Sequence, residues 1–201
     1  MGIAGGSGSG KTTFITRIKN LVSHPRFGVL HQDAYYLAVP NEELIVNGKR
    51  NFDHPEAFDW ALLRKHIQTL REGGSVAVPV YDYSVSKRSK KTEKLGPCDV
   101  VALEGIFALW DPEIRELLNL KIFMDVDADV RFIRRLHRDV KERGRTFDSV
   151  IEQYYDIVRP MHTKFIQPTA SYANVIVGEE NEPAAHAIVS RIRELLNQGT
   201  A

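Results

Sequence analysis

The sequence predicts an α/β fold: a doubly wound parallel sheet with helices on both faces. Short apolar, β-rich runs alternate with longer amphipathic segments. Two of those runs, "DVVALEG" (99–105) and "LKIFMDV" (120–126), are continuously apolar and end in acids, as strands buried on both faces do. A glycine-rich stretch, "GGSGSGKTT" (5–13), joins the first apolar run to the first amphipathic segment. In an open sheet of this kind ligands gather outside the carboxyl ends of the strands.

Taken in chain order, residues 1–4 read as the end of a strand, followed by the glycine loop and a helix over 11–22. "FGVLHQD" (27–33) is the second strand. In "FDWALLRKHIQTLREGG", Trp60, Leu62, Leu63, Ile67 and Leu70 fall near helical spacing and the pattern stops at Gly73-Gly74, which predicts a helix. "SVAVPVYDY" is extended, and the tract after it, "SVSKRSKKTEK" (84–94), is the most polar of the chain. Strands over 99–105 and 120–126 follow, then two charged helices over 128–142 and 146–159, a last strand "ANVIV" (173–177) and a closing helix over 183–197. No internal repeat interrupts this order.

Composition narrows the class. A chain of 201 residues, 43% hydrophobic, suits one domain with a sizeable core. Lys+Arg 27 against Asp+Glu 26 leaves a net charge of +1, which gives no overall pull toward nucleic acid or a membrane surface. Cys98 is the single cysteine and cannot form an internal disulfide. No apolar run approaches the roughly 20 residues that cross a bilayer, and no charged-then-apolar leader opens the chain. A cytoplasmic enzyme or switch is expected.

Gly5-x4-Gly10-Lys11-Thr12 satisfies the P-loop pattern, in the strand-to-helix setting that the pattern requires. Glycines let the chain turn so tightly that successive N–H groups point inward, where they meet phosphate oxygens at a helix N-terminus. Gly5, Gly6, Ser7, Gly8, Ser9, Gly10, Lys11, Thr12 and Thr13 are therefore the candidate phosphate contacts. Lys11 would reach the β- and γ-phosphates and the Thr12 hydroxyl would ligate Mg²⁺. A flexible Gly/Ser linker is the bland alternative, and the flanking strand and helix argue against it.

A P-loop does not separate a motor, a GTP switch and a small-molecule kinase. The chain has no Asn-Lys-x-Asp for guanine recognition. Asp33 and Glu104 end strands and would stand at the carboxyl edge beside the loop, where one or two carboxylates with Thr12 and phosphate oxygens suffice for Mg²⁺. Each has a plainer reading, Asp33 as a turn former and Glu104 as an acceptor for strand-end N–H groups. Arg131, Arg134 or Arg135, and Arg138 share a helix face, and such runs are most often solvated surface.

"GIAGGSGSGKTT", "LHQDAYY", "NFDHPEAFDW", "VPVYDYS", "VVALEGIFAL", "KIFMDVDADVRFIRRLHRDVKERGR" and "QYYDIVRPMHTKFIQPTASYANVIV" together resemble the uridine kinase (uridine-cytidine kinase) family, in that family's order over nearly the whole chain. The resemblance implies a P-loop NTPase-type sheet carrying a small β-hairpin over the acceptor site (79–95) and a helical lid (134–146), all in one kinase domain over 1–201. It implies transfer of a phosphoryl group from ATP (or GTP), with Mg²⁺, to the 5′-hydroxyl of uridine or cytidine. Asp33 matches the acid that orients and deprotonates that hydroxyl, and Lys11, Arg135 and Arg138 complete the catalytic set. Thr12, Asp33 and Glu104 are implied around the metal, and Arg143 on the donor side. Asp53 matches the ribose ligand, with a helix-capping role open beside it. Tyr36, Tyr81, Tyr83, Ser86, Arg135, Arg145 and Gln153 are implied around the nucleoside; for the tyrosines ordinary strand packing is the alternative, and for Gln153 a surface position.

One position departs from the family. Members that accept both pyrimidines carry a histidine five residues after the one matching Tyr81, and this chain has Ser86 there. A serine hydroxyl donates and accepts but reaches less far than imidazole, so base preference is open and His31 is a candidate substitute. A small-molecule nucleoside is the expected partner, with no nucleic acid and no membrane; the resemblance also implies a homo-oligomer, a tetramer. The alternatives are a related kinase acting on another hydroxyl metabolite, of the nicotinamide riboside or ribulose 5-phosphate type, and a regulatory ATP-binding protein.

Overall fold

A computed structural model describes residues 1–37, 42–82 and 87–198. Five parallel strands form the main sheet: β1 (Gly2–Gly5), β2 (Phe27–His31), β7 (Val100–Glu104), β8 (Lys121–Met124) and β9 (Val175–Val177), in the order β2-β7-β1-β8-β9. The register sets Gly2 beside both Leu103 and Lys121, and His31 beside Glu104. The carboxyl ends of β1, β2 and β7 are thus neighbours.

Alternation along these strands builds two cores. Ile3, Ala102, Ile122 and Met124 face one layer, which α1 (Lys11–Val22) covers with Phe14, Ile15 and Ile18, and α7 (Glu182–Gln198) with Ile188 and Val189. Ala4, Leu103 and Phe123 face the other, toward α2 (Trp60–Arg71), whose Leu63, Ile67 and Leu70 are buried, and toward the Ile106–Leu109 turn. A sheet apolar on both sides has to be covered on both, and this is the doubly wound arrangement that the sequence predicts. Asp59 caps α2, accepting from the Leu62 N–H at 3.1 Å, and Pro112 opens the short α3 (Pro112–Leu117) behind its Asp111 cap.

Two small antiparallel ribbons stand off the main sheet. One pairs β3 (Ile45–Val46) with β4 (Lys49–Arg50). The other pairs β5 (Val76–Asp82) with β6 (Lys87–Leu95), from Val76–Leu95 to Asp82–Lys87. β6 is the polar tract of the sequence. It forms a strand although Lys90 to Lys94 are all exposed, because one-sided pairing needs no apolar face toward the solvent. Arg88 fastens the ribbon to α2 through Asp59 at 3.2 Å.

The helix predicted over 128–142 is α4 (Ala128–Lys141). The one predicted over 146–159 starts as expected with α5 (Phe147–Gln153), capped by Thr146, but the chain stays helical far beyond residue 159. Wide π turns (Tyr154–Val158), α6 (Arg159–Met161), a second π stretch (His162–Ile166) and a 3-10 segment (Gln167–Tyr172) follow in succession. Pro160 and Pro168 lie inside this run. Proline has no N–H to donate, so the α pattern is broken without the rod being ended. Among the described residues no helix is long and apolar enough to cross a membrane.

Candidate active site

The loop between β1 and α1 is held open by its glycines. Gly5, Gly8 and Gly10 have φ of 144°, 83° and 89°, and a Cβ on Gly8 would lie 2.2 Å from the Arg131 carbonyl oxygen. Gly10 caps α1 with no side-chain hydrogen bond, leaving the first N–H groups of the helix for an anion. Ser9 Oγ is buried inside the loop without a partner. Lys11 is buried and donates to the Gly6 carbonyl at 3.0 Å; burial lowers its pKa, while Glu104 and Asp33 oppose that. These features fit the phosphate groups of a nucleotide.

Glu104 ends β7 one strand away. The Thr12 hydroxyl donates to its Oε2 at 2.6 Å, and His31 Nδ1 stands 3.9 Å from Oε1. Burial pushes the carboxyl up, but His31, Lys11 and Thr12 together outweigh it, and Glu104 sits below the ordinary range. An ionised carboxylate touching the loop threonine is an oxygen donor set of the kind Mg²⁺ accepts. Thr13, one residue further, is exposed.

Asp33 lies in the 3-10 turn Gln32–Tyr35 that follows β2. Its neighbour Gln32 is fully buried and accepts the Phe107 N–H at 2.8 Å, bracing the end of β2 against the turn after β7. Gly105 makes room for this brace, since a Cβ there would lie 2.3 Å from Gln32 Oε1.

Beside the loop opens a cleft of about 360 Å³, and ten of the residues singled out in the sequence meet around it: Ser7, Asp33, Tyr36, Asp53, Tyr81, Arg135, Arg138, Arg143, Arg145 and Gln153. Phe52 and Ile106 also line it; they are apolar, and no polar signal marked them in the sequence. Tyr36 packs between Phe52 at 5.0 Å and Tyr81 at 5.2 Å between ring centroids, giving the cleft an aromatic wall. Asp53 is buried, its N–H held by Asn51 Oδ1 at 3.0 Å. Burial raises its pKa, against Arg135 and Lys11. The capping role open for Asp53 falls to its neighbour His54, whose ring accepts the Glu56 N–H at 3.2 Å. Tyr83 and Ser86 lie outside the described residues.

The arginines come from α4 and the turn after it. Arg135 donates to Ser7 Oγ at 2.8 Å and to Gln153 Oε1 at 2.9 Å, and Arg145 donates to the same Gln153 oxygen. Arg135 is buried, not solvated. Arg134, the other candidate, turns outward to an exposed pair with Glu179. Arg131 is buried too, but backs the loop: its Nε–H donates to the Val126 carbonyl at 2.9 Å, and its guanidinium packs on Gly6. Asp139, which the sequence reading passed over, is wholly buried among the arginines. Its spacing of four residues from Arg135 and from Arg143 was the available signal.

The phosphoribulokinase/uridine kinase family matches residues 1–183. The chain belongs to that family. It is similar to a uridine kinase from Deinococcus deserti, 50% identical over 96% of this chain and 94% of that one. A uridine kinase from Clostridium botulinum (strain Langeland) is 45% identical over 98% and 97%. Among solved structures, the phosphoribulokinase from Rhodobacter spheroides superposes with a TM-score of 0.64 at 17% identity, over 88% of this chain and 68% of that one. The D-glycerate 3-kinase from Cryptococcus neoformans does so with a TM-score of 0.65 at 18% identity, over 90% and 86%. At that identity the structural likeness speaks for the fold, a P-loop kinase sheet.

Proposed function

We propose that this protein is a uridine kinase, transferring the γ-phosphoryl group of ATP to the 5′-hydroxyl of a pyrimidine ribonucleoside. The observation that carries the proposal is the cleft beside Ser7, where two carboxylates, an aromatic wall and four arginines converge. The two uridine kinases that cover nearly the whole chain support it.

In this reading the nucleoside ring lies against Tyr36 and Tyr81, and Asp53 accepts hydrogen bonds from the vicinal ribose hydroxyls. Asp33 takes the 5′-hydroxyl proton, the freed oxygen bonds to the γ-phosphorus, and the bond to the β–γ bridging oxygen breaks, leaving ADP. Phosphoryl transfer needs mostly positioning and charge stabilisation, so a weak base is adequate. Lys11 and the loop N–H groups hold the donor phosphates, Arg135 and Arg138 face the transferred group, Arg143 the donor and Arg145 with Gln153 the nucleoside side. Mg²⁺, held by Thr12 and Glu104 with Asp33 near, would neutralise the β- and γ-oxygens. The hairpin 79–95 forms the acceptor wall and 134–146 the lid, within one kinase domain over 1–201. ATP (or GTP) as donor, a homotetramer and a cytoplasmic location belong to the same reading through the family.

An ADP-release assay with Mg-ATP across uridine, cytidine, their deoxy forms, nicotinamide riboside and ribulose 5-phosphate tests the proposal. Turnover of uridine or cytidine is expected. No turnover of any nucleoside would refute it, and turnover of ribulose 5-phosphate alone would move the chain to another branch of the family.

A further inference from the structure

Four guanidinium groups share one carboxylate. Asp139 is 0% exposed. Its Oδ1 pairs with Arg138 at 2.8 Å and Arg143 at 3.4 Å, and its Oδ2 with Arg135 at 3.5 Å and Arg145 at 3.6 Å. The Asp139 carbonyl accepts the Arg145 N–H at 3.1 Å, so one residue ties the last turn of α4 to the loop beyond it. All four arginines line the cleft. Four like charges in one half-buried place repel one another, and a single internal anion both reduces that repulsion and sets the direction in which each side chain points.

The two carboxylate oxygens are not equivalent. Oδ1 receives a hydrogen bond from Arg138 Nε at 2.9 Å. Oδ2 makes no hydrogen bond and holds Arg135 and Arg145 at ion-pair distance only. These two arginines also reach out of the cluster, to Ser7 of the P-loop and to Gln153. The firm oxygen therefore anchors the helix end, and the loose one keeps two arginines aimed across the cleft while leaving them able to turn to a stronger anion.

We propose that Asp139 is a positioning residue for phosphoryl transfer, its buried carboxylate assembling Arg135, Arg138, Arg143 and Arg145 toward the P-loop before a donor triphosphate arrives. The inference rests on the kinase reading of the cleft. Asp139 touches no reacting atom; it acts through the arginines. Its loss therefore weakens stabilisation of the transferring group more than it weakens nucleoside binding, because Asp53 and the aromatic wall hold the nucleoside beside Arg145 and do not depend on Asp139.

The experiment compares wild type with Asp139→Asn, Asp139→Glu and Asp139→Ala, each first checked for a cooperative thermal transition. Displacing a catalytic group by about an ångström can cost on the order of 10²-fold in rate. Asp139→Asn, equal in size but neutral, is accordingly expected to lose on the order of 10²-fold in kcat with KM for uridine changed by less than about threefold. Asp139→Glu, which keeps the charge, should recover part of kcat, and added formate should raise the rate of Asp139→Ala but not of wild type. Should the alanine variant not fold, the asparagine and glutamate variants decide. A folded Asp139→Asn with wild-type kcat overturns the proposal, as does a loss confined to KM or a glutamate variant no better than asparagine. Absence of wild-type turnover in the same assay would instead refute the nucleoside kinase reading.

Discussion

His162 makes the P-loop's surroundings sensitive to acid. Its ring stands against the loop, with Cε1 3.0 Å from where a Cβ on Gly6 would lie. Burial first, and then Arg131 beside it, bring its pKa from an ordinary 6.5 down to about 4, with Gln167 and Asp125 opposing in part. In the unfolded chain the imidazole takes its proton near its ordinary value. Between there and about pH 4 the unfolded state binds the extra proton and the folded state does not, so stability falls as the pH is lowered through this window. At about 1.4 kcal/mol per pH unit the ceiling is roughly 3 kcal/mol, and partial exposure of the ring reduces it to about 2 kcal/mol. Urea unfolding of wild type and His162→Gln at about pH 7 and about pH 4.5 measures the term, because carboxylate contributions common to both proteins cancel in the difference. Wild type should lose about 2 kcal/mol more than the variant across that interval. Parallel acid losses in the two proteins would refute the reasoning.

Three further outcomes are expected at the site itself. Gly8→Ala places a methyl group 2.2 Å from the Arg131 carbonyl at a φ of +83°; it should abolish the rise in melting temperature that Mg-ATP gives wild type, and an undiminished rise would contradict the cradle geometry. Asp53→Asn removes a charged acceptor whose hydrogen bonds are worth about 1.5–3 kcal/mol each, so kcat/KM for uridine should fall on the order of 10- to 100-fold and that for 2′-deoxyuridine by less; equal losses would take the ribose contact away from Asp53. Glu104→Gln keeps the shape and drops the charge, and should raise several-fold the Mg²⁺ concentration giving half-maximal rate, while an unchanged Mg²⁺ titration would remove Glu104 from the metal's surroundings.

The parts of the fold that follow from local chemistry could be read from the chain. Apolar runs ending in acids became β7 and β8, and the glycine loop with its lysine lies where a strand meets a helix. Residues whose chemistry is conspicuous, such as Asp33, Asp53 and Arg135, meet at one cleft. What stayed hidden depends on packing and pairing that no local motif announces. The 3-10 and π turns over residues 154–172 hide behind two prolines that normally end a helix. Gln32 carries no motif; its brace to Phe107 spans 75 residues of sequence. Asp139 lay inside a charge run, where acids are usually solvent partners of their neighbours; its spacing from Arg135 and Arg143 hinted at pairing, and its complete burial is what sets it apart.

The brace between Gln32 and the turn after β7 has a consequence for how this enzyme can vary. It locks the strand end that carries Asp33 to the strand end that carries Glu104, so the two behave as jaws of one fixed calliper. Gly105, without a polar side-chain atom of its own, sets the gap. A side chain there would have to displace Gln32 and would shift Asp33 and Glu104 together, so a residue that has no chemistry to lose sets the spacing of two that do.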